Sequence, residues 1–293
     1  MFGKILVPLD GSTHGDEVLA QVRRVLECED AQVDLLSVVV PILESRAERG
    51  DRKDTSERHV ALRREESQRH VDRLAAELTD QGLQASGRVV LGDPTEAILS
   101  HVEREGVDLV AMATHGRRGP SRWLRGSTTE RVLRRCPVPV LVCNPGRGGT
   151  EVDGAWFDTI LVPVDGSKQA ESILPLVAAL GALYQSRVVL LRVKIQPLDP
   201  YYSLPWANDD LEDSIVRYAK ELEGKVGSVE RQVRIGDPAI EILAAIDELK
   251  PDLVAMTTHG LSGLSRWLFG SVAEKVIRSS SAPLLLKRTG LPE

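Results

Sequence analysis

The sequence predicts two tandem, doubly wound α/β domains, each a parallel sheet with helices on both faces. Three observations predict this class. Short apolar runs alternate with helix-periodic segments, as in a parallel sheet covered on both sides. Runs such as Leu109-Val110-Ala111-Met112 are apolar without alternation, as in strands buried on two faces. Finally, the succession occurs twice. Met112–Ser127, M-A-T-H-G-R-R-G-P-S-R-W-L-R-G-S, returns as Met256–Ser271, M-T-T-H-G-L-S-G-L-S-R-W-L-F-G-S, with 11 of 16 positions identical.

Two further pairs of stretches fix the duplication. Lys4–Ser12, K-I-L-V-P-L-D-G-S, returns as Thr159–Ser167, T-I-L-V-P-V-D-G-S, and Leu91–Leu99 returns as Ile235–Leu243. The separation is 155 residues from Asp10 to Asp165 but 144 from Gly116 to Gly260, so the first copy carries 11 extra residues between its early and middle parts. The seam, Asn144–Trp156, is glycine-rich and lacks apolar periodicity, as a linker should. The expected division is a first domain over 1–145, a linker over 146–156 and a second domain over 157–293, in keeping with a length of 293 residues.

In the first copy, Ile5–Val7 reads as a strand. Glu17–Glu27 places Val18, Leu19, Val22, Val25 and Leu26 on one helical face. Val33–Val40 is a second strand, rich in β-branched residues. A charged loop over Pro41–Ser56 leads to a long helix, Glu57–Leu78, with Val71, Leu74, Ala75 and Leu78 inward. Arg88–Leu91 is the third strand. Asp93-Pro94-Thr95-Glu96 opens a helix with Asp as N-cap, Pro at the first helical position and Glu completing a capping box. Val107–Met112, Thr128–Arg135 and Val138–Val142 follow as strand, helix and fifth strand. The second copy repeats the strands at Ile160–Val162, Val188–Val193, Val229–Ile235, Leu253–Met256 and Leu284–Leu286. Its variable loop, Gln196–Asp213, holds Tyr201, Tyr202 and Trp206, which either cover a ligand or cap exposed core.

The net charge of −6 argues against a nucleic-acid partner, although Arg117, Arg118, Arg122 and Arg125 cluster in one loop. No apolar stretch approaches the ~18 residues of a membrane span, and the N-terminal apolar run is too short for a secretory signal. Cys28, Cys136 and Cys143 form no C-x-x-C pair and read as buried reduced thiols of a cytoplasmic protein.

Candidate chemistry lies beyond the carboxyl ends of the strands, where doubly wound sheets bind ligands. Asp10 and Asp165 end the first strand of each copy. Either could accept hydrogen bonds from a sugar or base, or simply shape the D-G-S turn. Gly116 and Gly260 allow close backbone approach to a ligand. Gly126-Ser127 and Gly270-Ser271 place N–H groups and a hydroxyl at a helix start, suited to phosphate. The competing role is capping, since Ser127…Glu130 and Ser271…Glu274 are S-x-x-E boxes. His115 and His259 sit in the loops and could touch phosphate or satisfy a turn carbonyl, while Arg122 and Arg266 each precede a Trp and could reach phosphate or, as their placement suits better, stack on that Trp. Nine residues separate the paired glycines, which excludes a Walker A loop; no G-x-G-x-x-G, H-E-x-x-H or G-x-S-x-G occurs in a fitting place.

These residues resemble the universal stress protein family over nearly the whole chain, as a tandem two-domain member. The family's nucleotide motif, G-x-x-G, nine residues, then G-[ST], is matched at Gly116, Gly126 and Ser127 and again at Gly260, Gly270 and Ser271. The V-P-x-D-G-S start is matched twice. The resemblance implies five parallel strands per half in the order 3-2-1-4-5, placing strands one and four side by side. It implies adenosine contacts at Asp10 and Val38 in the first half, and at Asp165 and Val193 in the second. It implies that the glycine loop with Gly116, Gly126 and Ser127, and its second copy with Gly260, Gly270 and Ser271, holds the phosphates, while Pro8, Met112, His115, Thr128, Pro163, Met256, His259 and Val272 complete the expected nucleotide-binding set. The implied cofactor is ATP or ADP, with Mg²⁺ as a candidate companion.

The motif's first glycine is replaced by Ala113 in the first half and Thr257 in the second. Where backbone geometry requires glycine there, phosphate contact weakens, and most at the β-branched Thr257. The resulting expectation is a cytoplasmic stress-response protein with one potential ATP site per half, its halves forming an intramolecular pseudo-dimer that could pair further as a homodimer. The alternative is an interaction module of the same fold without a nucleotide. Catalysis beyond weak ATP hydrolysis lacks an evident base or nucleophile near the loop.

Overall fold

The computed structural model describes residues 2–12, 18, 19, 22, 31–41, 51–113, 128–143, 157–195, 210–258 and 270–289, with backbone alone at 51–56 and 210–212. By its contacts the chain forms two units, Phe2–Val138 and Pro139–Glu293.

The first unit contains β1 (Lys4–Leu9), β2 (Gln32–Val39), β3 (Gln84–Leu91) and β4 (Leu109–Ala113), with helices α1 (Asp51–Asp80), α2 (Pro94–Glu105) and α3 (Thr128–Arg135). The second contains β5 (Val140–Cys143), β6 (Thr159–Val164), β7 (Arg187–Lys194), β8 (Ser228–Ile235), β9 (Leu253–Thr257) and β10 (Leu284–Lys287). Its helices are α4 (Lys168–Glu171), α5 (Leu174–Tyr184), α6 (Asp210–Leu222), α7 (Pro238–Leu249) and α8 (Ser271–Ser279). The order 3-2-1-4-5 holds in both repeats. Each first strand pairs parallel with the second and fourth, with Pro8 opposite Leu36 and Leu6 opposite Val110 in one sheet. Pro163 faces Leu191 and Leu161 faces Val254 in the other. The one antiparallel pairing among the described strands joins β5 to β10 within the second unit, Leu141 opposite Leu285.

The central strands are buried on both faces, as their unbroken apolar runs require: Ile5, Leu6, Val7, Val110, Ile160, Leu161 and Val162 are inaccessible to solvent. Burying each such side chain contributes about 1.5–3 kcal/mol. Val18, Leu19 and Val22 are helical and buried, as the first helical face predicts; the rest of that helix lies outside the described residues. Cys136 and Cys143 are buried thiols, and Cys28 lies outside the described residues.

The structure corrects several boundaries. Helix α1 begins at Asp51, inside the stretch read as a charged loop, because nothing from Asp51 to Asp80 is a Gly or Pro. Strand β3 begins at Gln84, four residues before the expected Arg88, while β8 (Ser228–Ile235) matches the expected Val229–Ile235 to one residue. The first half of β3 has only exposed and half-buried positions, so an apolar-run criterion detects just its end. Asp93 caps α2 as expected, accepting from the N–H of Thr95 and Glu96, but Glu96 does not close the box. Its carboxylate instead pairs with Arg135 of α3.

One carboxylate per repeat joins strands one and four at their amino ends. Asp108 Oδ2 accepts from the N–H groups of Gly3 (2.8 Å) and Lys4 (3.0 Å), and Asp252 Oδ2 from that of Thr159 (2.9 Å). The Asp108 and Asp252 N–H groups return bonds to Lys4 and Thr159 carbonyls.

The first unit also buries a polar cluster. Asp34 accepts from Ser86 Oγ at 2.8 Å and His101 Nε2 at 2.9 Å, with Lys4 Nζ at 3.9 Å. Burial alone would raise the Asp34 pKa, but the bonds from His101 and Ser86 and the Lys4 charge hold it below the ordinary carboxylate value. Its contribution is therefore present above the ordinary carboxylate pKa and lost as pH falls through the lower folded value. Val189 and Ala245 occupy the matching places in the second repeat, so the fold itself does not need the pair.

Asp34→Val alone is expected to cost about 3 kcal/mol in urea denaturation, through a buried His101 and Ser86 left without an acceptor. The Asp34→Val, His101→Ala double variant should lose less than the sum of the singles by at least about 1 kcal/mol. A second comparison uses helix ends. Gly106 terminates α2 at φ 66°, while Lys250 holds the equivalent position after α7 at φ 46°. Lys250→Gly is expected to raise stability by about 1 kcal/mol, read as an increase in melting temperature.

Candidate functional site

The site elements converge because β1 and β4, and likewise β6 and β9, are parallel neighbours. Asp10 lies four residues beyond Leu6 and Ala113 three beyond its partner Val110, so both emerge at one carboxyl edge. Asp165 and Thr257 stand in the same relation beyond Leu161 and Val254. From the other side, Ser37 pairs with Leu9 and Arg192 with Val164, which brings Val38 beside Asp10 and Val193 beside Asp165.

At each strand end the aspartate folds the turn. Asp10 Oδ1 accepts from Ser12 N–H at 2.9 Å and from the Ser12 hydroxyl. Asp165 Oδ1 accepts from Ser167 N–H at 3.0 Å and from its hydroxyl. Gly11 and Gly166 take φ 72° and 82°, a region that L side chains rarely adopt. The turn role of D-G-S is thus realised in both repeats. A ligand role would add to it, since a carboxylate has about four acceptor positions.

Pro8, Pro163, Val38 and Val193 are half-buried, while Met112 and Met256 are buried beneath the edge. Ala113 is half-buried, and its carbonyl accepts from Thr129 Oγ1 at 3.1 Å, which ties the end of β4 to the start of α3 beside Thr128. Thr257 is buried. Thr258 N–H donates to Lys287 O at 3.1 Å, and Gly270 N–H donates to Thr258 O at 2.9 Å, closing the base of the second loop. His115, Gly116, Gly126, Ser127, His259 and Gly260 lie outside the described residues. So do Arg117, Arg118, Arg122, Arg125, Arg266, Tyr201, Tyr202 and Trp206.

The second S-x-x-E box is not formed. Gly270 is the N-cap of α8, with φ −60° and ψ 142°, and no side chain caps the helix. Ser271 is the first helical residue and exposed, Val272 is half-buried, and Glu274 pairs with Arg278 at 3.1 Å. A serine one position inside the helix cannot curl back to the N–H groups that an N-cap reaches. The first turn of α8 therefore presents backbone donors suited to an anion.

Sequence reasoning missed one residue at this edge. Arg192 is only 4% exposed, and its Nη1 donates to Val164 O at 3.3 Å. Burial draws the guanidinium pKa below its ordinary value, with the nearby Asp165 carboxylate and, less so, Tyr218 acting in the opposite direction. Its signal was a lone arginine in the apolar run V-V-L-L-R-V, where the first repeat has Ser37. Among the described residues, no group of three or more His, Cys, Asp or Glu side chains could hold a metal ion. No helix among them is long and apolar enough to cross a membrane.

A duplicated parallel sheet with its turns gathered at the switch between strands one and four defines a tandem switch-point α/β protein. The model of the universal stress protein family matches residues 1–144 and 157–288, and the chain belongs to that family. A universal stress protein of Methanocaldococcus jannaschii is 31% identical over 155 residues, covering 48% of this chain and 94% of its own. The universal stress protein E homolog of Haemophilus influenzae is 25% identical and covers 97% of this chain and 96% of its own. Among solved structures, a universal stress protein from Archaeoglobus fulgidus superposes with a TM-score of 0.74 at 23% identity, over 98% of this chain and 99% of that one. This last similarity supports the tandem fold.

Because Gly270 rather than Ser271 caps α8, Ser271→Ala should change unfolding free energy by less than about 0.5 kcal/mol, whereas loss of a true serine cap costs ~1 kcal/mol. Chemical denaturation distinguishes the two.

Proposed function

We propose that the chain binds an adenine nucleotide, ATP or ADP, at the carboxyl edge between strand one and the glycine loop after strand four, as a regulatory protein of the stress response. The observation that carries this reading is the recurrence of one arrangement in both repeats: an Asp-Gly-Ser turn ending a strand that lies beside the strand leading into the glycine motif. Doubly wound sheets bind ligands at such switch points. In this reading the Asp carboxylate accepts from the ribose or base, and Val38 or Val193 lies against the adenosine. The phosphates meet the glycine loop and the first N–H groups of the following helix, whose dipole favours negative charge. A Mg²⁺ ion would travel with the phosphates, which supply its oxygen ligands. The cytoplasmic setting proposed with this reading is in keeping with Cys136 and Cys143 being buried and not joined in a disulfide.

A second reading, an interaction module without a nucleotide, is favoured by Ala113 and Thr257 at the motif's first glycine. Adenine nucleotide released by denaturing the purified protein, and identified by mass spectrometry, would count against it. Calorimetric titration with ATP and Mg²⁺ is expected to give saturable binding that Asp10→Ala weakens at least about tenfold, equivalent to ~1.4 kcal/mol. An absence of binding at millimolar ATP would remove the nucleotide assignment.

A further inference from the structure

We propose that the two crevices are unequal: Arg192 closes the one in the second repeat, so that the adenine nucleotide occupies the first. This rests on the nucleotide reading above and sharpens it to one site per chain.

The guanidinium of Arg192 lies against the turn that carries Asp165. Its Nη1 donates to Val164 O at 3.3 Å, and Nη1 and Nη2 come within 3.5 and 3.6 Å of a Cβ built on Gly166. Ser214 Oγ of α6 lies 3.3 Å from the same point, and Tyr218 of the same helix donates its hydroxyl to Ser167 O at 3.4 Å. Three side chains from β7 and α6 thus wall in the D-G-S turn. The consequence is visible in its accessibility: Asp165 and Gly166 are half-buried and Ser167 is buried, whereas Asp10 and Gly11 are exposed and Ser12 is half-buried. At the place of Arg192 the first repeat has Ser37, whose side chain is three to four bonds shorter in reach and carries no charge.

Charge acts in the same direction as bulk. The positive group beside Asp165 attracts the carboxylate that a ribose hydroxyl would need as its acceptor. Thr257 is a second, smaller difference that lowers affinity without closing the site. It is buried and β-branched where the family motif has its first glycine, and the first repeat has the smaller Ala113.

Arg192 could instead serve as an anion ligand, since its Nε is buried without a partner. That role would make the second crevice the stronger site, and the experiment separates the two outcomes. The full chain is titrated with ATP and Mg²⁺ by calorimetry, with circular dichroism and melting curves confirming the fold of each variant. Wild type is expected to bind one equivalent, Asp10→Ala to bind that equivalent at least about tenfold more weakly, and Arg192→Ser to bind two. Ser37→Arg, which installs the second repeat's residue in the first, should abolish binding. Two equivalents in wild type would overturn this inference while leaving the nucleotide reading intact. So would a folded Arg192→Ser variant that stays at one equivalent or loses binding, or a Ser37→Arg variant that still binds. No binding by either wild type or Arg192→Ser would overturn the nucleotide reading and this inference together.

Discussion

The candidate site depends on the adjacency of strands one and four, and that adjacency is held at its amino end by a single carboxylate in each repeat. Asp108 accepts two N–H groups at the start of β1, and Asp252 accepts the first of β6. Both lie just before the Leu-Val-Ala run of the fourth strand, so the residue that begins that strand also sets its register against the first. With the register set there, the parallel direction of both strands delivers the Asp-Gly-Ser turn and the entry to the glycine loop to the same edge. The crevice is thus a consequence of pairing at the opposite end of the sheet.

The duplication lets each repeat act as a control for the other. Positions that carry the fold are the same in kind: the aspartate N-caps Asp93 and Asp237, the aspartate clamps and the D-G-S turns. Positions that differ mark where the fold tolerates other chemistry. The Asp34–His101 pair gives way to Val189 and Ala245, the left-handed Gly106 to Lys250, and Ser37 to Arg192. The first two exchanges concern stability. The third lies at the strand end beside Asp165, and there it changes what the crevice can admit.

The fold was legible in the sequence because its central strands are buried on both faces and so read as unbroken apolar runs. The edge strand β3 was only partly legible, since its exposed and half-buried positions thin the apolar signal, whereas the equivalent β8 was read to within one residue. The caps at Asp93 and Asp237 were readable from Asp-Pro spacing, but the partner of Glu96 was not. Arg135 is 39 residues away, and only tertiary packing brings it near. The serine box before α8 misled for a related reason. The spacing S-x-x-E is satisfied one residue inside the helix, where the serine is no longer a cap. Arg192 escaped notice because a charge in a strand carries no meaning until its register with Val164 is known.

The central claim, that the carboxyl edge of the β1–β4 pair is the ligand site, is tested most directly by amide chemical-shift mapping of the full chain with ATP and Mg²⁺. The largest changes are expected on Leu9–Ser12, Val38 and Met112–Ala113, with the amino-end clamps at Gly3, Lys4 and Asp108 unmoved. Changes centred on those clamps, or on the edge strands β3 and β8, would contradict it.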